Sequence, residues 1–141
     1  MVLTTAKWTI YEYHRMIAAG ILDDRRVEIT LPNDSEPEPD IAIVQRLGRE
    51  YLEHHPYPEN VFWLIEYSDS SLDKDLEIKS KVYAEVKIPE YWVVNLKKRQ
   101  LVVFRDPQDA EYASKSRLTG GMIYPLVFPD VAVSVNLIVS A

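Results

Sequence analysis

No cysteine occurs anywhere in the chain, which excludes disulfides and thiolate metal sites and leaves the redox compartment unread. Positive charge is also scarce: 16 Lys and Arg face 22 Asp and Glu, for a net charge of −6 at pH 7. A protein that grips nucleic acid mainly by neutralising phosphates is basic, so this balance argues against a tight, non-specific DNA binder. It argues less against a metal-dependent nuclease, because clustered carboxylates belong to such a site and a bound cation offsets them. There is no Gly-rich phosphate loop and no Gly-x-Ser-x-Gly elbow. Neither Ser-His-Asp nor zinc-protease spacing occurs. No apolar run approaches the length of a membrane span, and Met1 to Trp8 holds no long apolar stretch. The expectation is a cytoplasmic protein with no membrane partner. Internal repeats and low-complexity tracts are absent as well.

What remains is an ordinary soluble composition, 47% hydrophobic and 27% charged, on 141 residues. That suffices for one domain with one core, residues 1–141. The segment around which it is organised runs from Val61 to Asn95. Val61-Phe62-Trp63-Leu64-Ile65 is apolar throughout and suits a strand buried on both faces. A charged helix-forming stretch follows, and then a second apolar run, Tyr91 to Val94. Strand, helix and strand in this order predict a crossover with two parallel strands.

Glu66 falls where the first of these strands ends, a position at which an unpaired carboxylate is costly to bury. Advancing about 100° per residue along the helix puts Leu72, Leu76, Lys79, Tyr83 and Val86 on one stripe, with Asp75 at its edge. Lys74, Glu77, Lys81 and Glu85 fall on the opposite side. Lys79 therefore interrupts the face that packs on the sheet, where a lysine must snorkel, pair with a carboxylate or serve a site. Two readings stand from helical geometry alone: an i,i+4 pair with Asp75, worth a few tenths of a kcal/mol, or a site residue facing Glu66.

Upstream, Thr9-x-x-Glu12 is a capping-box pattern and Gly20 a stop, so Thr9 to Ala19 is expected as a short helix with Tyr13, Met16 and Ile17 inward. His14 reads as a surface residue, and Val27 to Leu31 as a short strand. Pro32 to Asp40 carries three prolines and four acidic residues and cannot be helical. It delivers Asp40 onto Ile41-Ala42-Ile43-Val44, another short strand. If this strand and the one ending at Glu66 are antiparallel neighbours, both carboxylates lie at one edge of the sheet. Gln45 to Asn60 is a polar connection whose adjacent His54 and His55 read as solvated loop. Downstream, Lys97-Lys98-Arg99 forms the basic tip of a hairpin, Asp106-Pro107 is expected to break a strand, and Tyr112 to begin another. Gly120-Gly121 reads as a turn and Val131 to Val135 as a final strand.

Two converging carboxylates repel unless something positive lies between them. With no cysteine and no convincing histidine cluster, their oxygens suit a hard cation, Mg²⁺ or Mn²⁺. Such an ion polarises a phosphodiester and activates water, and a nearby lysine stabilises charge on the phosphate. Asp40, Glu66 and Lys79 make a minimal phosphodiesterase centre on this reading.

The same residues carry a resemblance. Pro39-Asp40 before a hydrophobic strand, with Glu66 at the end of the next, resembles the PD-(D/E)XK, restriction-endonuclease-like superfamily. Within it the chain is similar to the Uma-two family of nucleases. The shared motifs are Trp8-Thr9 with Glu12-Tyr13-His14, then Arg26-Val27-Glu28, Pro37-Glu38-Pro39-Asp40-Ile41-Ala42 and Glu66-Tyr67-Ser68-Asp69-Ser70-Ser71. They continue with Asp75-x-x-x-Lys79-x-x-x-Tyr83-Ala84 and Ile88-Pro89-Glu90-Tyr91-Trp92-Val93-Val94. The resemblance implies an α/β fold of the α+β, mixed-sheet kind: a restriction-endonuclease-like core, a strand-helix-strand crossover and extra C-terminal antiparallel strands. It implies Asp40 and Glu66 as metal-binding carboxylates, Mg²⁺ or Mn²⁺ as cofactor and DNA as substrate. The superfamily's usual lysine two residues after the glutamate is Ser68 here, and its work passes to Lys79. Asp75 and Tyr83 share the face of Lys79, and Ser68 and Ser70 stand beside Glu66; each is a supporting candidate, or else a capping or packing residue. Against the family pattern, Glu28 runs almost directly into Ile29-Thr30-Leu31-Pro32-Asn33-Asp34, so an internal helix and strand segment is missing. Lys87 stands where a glycine is usual. The shortening predicts apolar sheet surface that a second subunit, as in a homodimer, would cover. It also keeps open a catalytically inactive or partner-dependent interaction module that retains the nuclease-like fold.

Overall fold

The computed structural model describes residues 39–45, 47–54, 56–69 and 72–140. The expected helix Thr9 to Ala19, with Tyr13, His14, Met16 and Ile17, lies outside the described residues. So do the expected strand Val27 to Leu31, the shortened segment after Glu28, and His55 and Ser70.

Five strands form one sheet in the order β1-β2-β3-β4-β5: β1 (Ile41–Val44), β2 (Val61–Ser68), β3 (Glu90–Asn95), β4 (Gln100–Gln108) and β5 (Glu111–Leu118). β1 runs antiparallel to β2, with Ile41 opposite Ile65, as the convergence of Asp40 and Glu66 requires. β2 and β3 are parallel, with Glu66 beside Val93 and Ser68 beside Asn95, and the helical crossover joins them. β3, β4 and β5 form an antiparallel meander. The turn from β4 to β5 has positive φ at Asp109 (51°) and Ala110 (64°), the twist-matching geometry of a tight hairpin. A small second sheet pairs β6 (Met122–Ile123) with β7 (Val133–Ser134). The polar connection after β1 holds two 3-10 turns, Gly48–Leu52 and Pro58–Asn60, and His54 stacks on Tyr57 at 4.1 Å within it. No helix among the described residues is long and apolar enough to cross a membrane.

Strand alternation sends side chains to two cores. On one face Leu64, Tyr91, Val93, Val102 and Phe104 meet Tyr83 and Ala42, with Leu72, Leu76, Val82 and Val86 packed against them. On the other, Trp63, Ile65, Trp92, Val94, Leu101 and Val103 are covered by Ile123, Val133, Val135, Ile138 and Val139. Trp63 and Trp92 meet there with ring centroids 4.4 Å apart. The expectation of bare apolar surface on this sheet face is thereby corrected. Trp63, Ile65, Trp92 and Val94 are at most 1% exposed, because the C-terminal segment folds over them. Glu90, fully buried, ties that segment down. Its Oε2 accepts from Trp92 Nε1 (2.8 Å) and Arg105 Nε (2.7 Å), and its Oε1 from the Leu126 amide (2.9 Å).

Two further expectations are corrected. β4 continues through Asp106-Pro107, since β3 pairing stops at Arg105 and proline is tolerated where one strand flank is open. Only Val133–Ser134 of the expected final strand is extended. Ser134 Oγ accepts from the Leu137 amide at 3.3 Å and caps α2 (Val135–Val139), which starts where the strand was expected to end.

The crossover helix is already helical at Leu72 and Asp73, passes through a π-helical segment (Lys74–Lys79) and continues as α1 (Ser80–Glu85). Ser80 Oγ donates to the Leu76 and Glu77 carbonyls (2.6 and 3.3 Å) at the junction, where the ladder changes spacing. Its end is a Schellman motif: the Lys87 amide donates to Ala84 O and the Ile88 amide to Tyr83 O, both at 3.0 Å. Lys87 holds φ = 62°, the left-handed conformation in which a glycine is favoured. An L side chain there costs about 1 kcal/mol, so Lys87→Gly is expected to raise the unfolding free energy by about that amount. Denaturant unfolding checks it, and an equal or lower midpoint contradicts it.

Candidate active site

Asp40 and Glu66 reach one rim of the sheet because β1 starts where β2 ends. The Asp40–Glu66 step continues the Ile41–Ile65 register, and alternation puts both side chains on the helix-covered face. Half-buried Asp40 is locked to the neighbouring strand, its Oδ2 accepting from the Tyr67 amide at 2.7 Å. Glu66 is 2% exposed.

The helix supplies the rest. Lys79 Nζ lies 2.9 Å from Glu66 Oε2 and 3.2 Å from Asp75 Oδ1. Tyr83 OH donates to Glu66 Oε1 at 3.1 Å, and Ser68 Oγ donates to Asp75 Oδ2 at 2.6 Å. Of the residues singled out in the sequence, Glu66, Ser68, Asp75, Lys79 and Tyr83 form one hydrogen-bonded cluster. Asp40 stands on the adjacent strand. Asp75 departs from expectation: it is 2% exposed rather than at the stripe's edge. An i→i+5 turn carries more residues per turn than an α-helix, and this rotates Asp75 inward. The pair with Lys79 is thus not a solvated one, and the same ammonium also meets Glu66. Tyr91, legible in the sequence only as the start of an apolar strand, also belongs here. Its hydroxyl donates to the Asp75 carbonyl at 3.0 Å within the π segment. Its parity with Val93, which faces the helix, was the available signal. His54 and the basic tip Lys97-Lys98-Arg99 are not part of the cluster.

One ammonium serves two buried carboxylates, and burial chiefly sets the protonation. Burial pushes the Glu66 carboxyl up to about 7; its hydrogen bond with Asp75 adds to this, and Lys79 opposes it. Burial alone would lower the Lys79 ammonium, but Glu66 and Asp75 outweigh it and hold it above its ordinary value. Burial and then the nearby Glu66 charge raise the Tyr83 and Tyr91 hydroxyls, which stay protonated donors.

The sequence model of the Uma2 family, described as "Putative restriction endonuclease", matches residues 6–136. The chain belongs to the Uma2 family. Its fold is similar to the crystal structure of a "putative nuclease belonging to DUF820" from Anabaena variabilis, with a TM-score of 0.59 at 14% identity, covering 99% of this chain and 85% of that one. No curated protein matches. At that identity the structural likeness speaks for the fold alone, and the chemistry of this Uma2 domain must come from its own side chains.

The donor set fits a hard cation. Among the described residues no three His, Asp or Glu side chains gather as a ready-made cage. Mg²⁺, however, is commonly held by one or two carboxylates, with water and substrate phosphate completing its shell. Asp40 and Glu66 are two oxygen donors of that kind at one rim.

The Glu66 shift has a testable sign. Between 4.5, the ordinary carboxyl value, and about 7 the folded chain binds the extra proton. This contribution to stability is therefore complete below pH 4.5 and is lost as pH rises through 7. A carboxyl ¹³C titration is expected to give a Glu66 midpoint near 7, displaced upward in Lys79→Met, which loses the opposing cation. A midpoint near 4.5 contradicts it.

Proposed function

We propose that this Uma2 domain is an Mg²⁺- or Mn²⁺-dependent endonuclease that hydrolyses phosphodiester bonds in DNA. The observation that carries the reading is the 2.9 Å contact of Lys79 with Glu66, which brings a helix lysine to the carboxylate at the strand end. That restores the acid-and-lysine constellation although Ser68 occupies the position two residues after Glu66. Family membership supports a nuclease in general terms.

Asp40 and Glu66 would hold the cation, which when bound polarises the phosphate and lowers the pKa of a coordinated water. Every other role falls to the chain itself. Tyr83 fixes one oxygen of Glu66, and so turns the other toward the rim. Ser68 fixes Asp75, and Asp75 restrains the Lys79 ammonium. Because its neighbours raise the pKa of Lys79, it acts as a permanent cation rather than a general base. Its task is to orient the attacking water and to offset charge that grows on the phosphate oxygens. Hydrolysis forms one oxygen–phosphorus bond and breaks another. The water loses a proton and the departing alkoxide gains one. Glu66 must be ionised to bind a cation, so activity is expected to rise with pH through about 7.

Supercoiled plasmid incubated with Mg²⁺ or Mn²⁺ tests this. Glu66→Ala, Asp40→Ala and Lys79→Ala are each expected to slow nicking by about 100-fold or more. Equal rates in wild type and variants would contradict the proposal and favour a non-catalytic interaction module.

A further inference from the structure

Lys97-Lys98-Arg99 is the only run of three consecutive basic residues in a chain of net charge −6. The sheet holds this run close to the candidate site. Asn95, the last residue of β3, pairs beside Ser68, two residues beyond Glu66 on β2. Two residues along a strand and one strand across correspond to roughly 7 Å and 5 Å. The tip therefore begins about 9 Å from Glu66.

It is also a shaped turn rather than a loose one. The Leu96 amide donates to Ser68 O at 3.0 Å, which fastens the tip to the end of β2. Asn95 Oδ1, on a buried side chain, accepts from the Lys98 amide at 3.1 Å, and Arg99 closes the turn at φ = 49°. All three basic side chains are exposed. The ion pair of Lys97 with Asp69, at 3.7 Å with side chains 72% and 61% exposed, is too solvated to hold the lysine.

We infer that Lys97, Lys98 and Arg99 are a phosphate-backbone clamp that holds duplex DNA beside the scissile bond. The inference rests on the nuclease reading above and adds the surface that positions the substrate. The basic side chains follow Asn95 by two to four residues, so the clamp engages the backbone to one side of the cut, several nucleotides away at about 3.4 Å of rise per nucleotide of one strand. An acidic domain that must approach a polyanion needs such a local reversal of charge, and the contacts read no sequence.

Fluorescence anisotropy with a labelled DNA duplex in EDTA, which prevents cutting, tests this. The K97Q/K98Q protein is expected to bind more weakly, with a slope of log K against log salt shallower than wild type by about 1.8. R99N, which tolerates the left-handed turn, is expected to lose about 0.9. K81Q/K115Q removes equal charge from exposed lysines elsewhere and is expected to keep the wild-type slope. An unchanged slope in K97Q/K98Q, equal losses in both double variants, or no binding by wild type at low salt would each overturn the clamp. Plasmid nicking decides the nuclease reading separately, since it depends on Glu66 rather than on these side chains.

Discussion

Two buried carboxylates share a single ammonium, and the rest of the site follows from that imbalance. Glu66 and Asp75 are each 2% exposed, and Lys79 bridges them. Desolvated charges of one sign repel strongly, so the cluster persists only while a proton or another cation supplies the missing positive charge. Near pH 7 the proton on Glu66 supplies part of it. A cluster that was charge-balanced on its own would have no such demand.

The sheet explains why the imbalance is tolerated. β2 lies between an antiparallel and a parallel neighbour and is buried on both faces, so Glu66 cannot swing out to water. Tyr83, Ser68 and Tyr91 meet the polar atoms that burial would otherwise orphan. A third buried carboxylate, Glu90, works differently. It faces Arg105 at 2.6 Å together with two N–H donors, and it pins the C-terminal cover of the sheet. The two acids show the same fold using a balanced pair for architecture and an unbalanced one at the rim.

The crossover from Val61 to Asn95 was legible because parallel strands need a long connection and because apolar runs of this length are strands. Alternation around Asp40 and Glu66 carried enough information to bring both acids to one edge, given antiparallel pairing. A regular 100° wheel put Lys79 inward but left Asp75 at the margin, because nothing in the local sequence announces a π turn. The Tyr91 role was hidden for a related reason: its hydroxyl partner is a carbonyl whose direction depends on that same turn. Long-range cover was the least readable. Ile123, Val133 and Ile138 are held on the second sheet face by contacts such as Glu90 with the Leu126 amide and Arg105 with the Tyr124 carbonyl, relations of residues far apart in sequence.

The central claim is that the rim formed by Asp40 and Glu66 takes a hard cation. Paramagnetic Mn²⁺ added in trace amounts to ¹⁵N-labelled protein above pH 7 tests it most directly, because broadening reports position rather than activity. The account predicts that amide signals of Tyr67, whose N–H is bound by Asp40, and of Ser68 disappear first. Broadening at a different surface, or none at all, would contradict it.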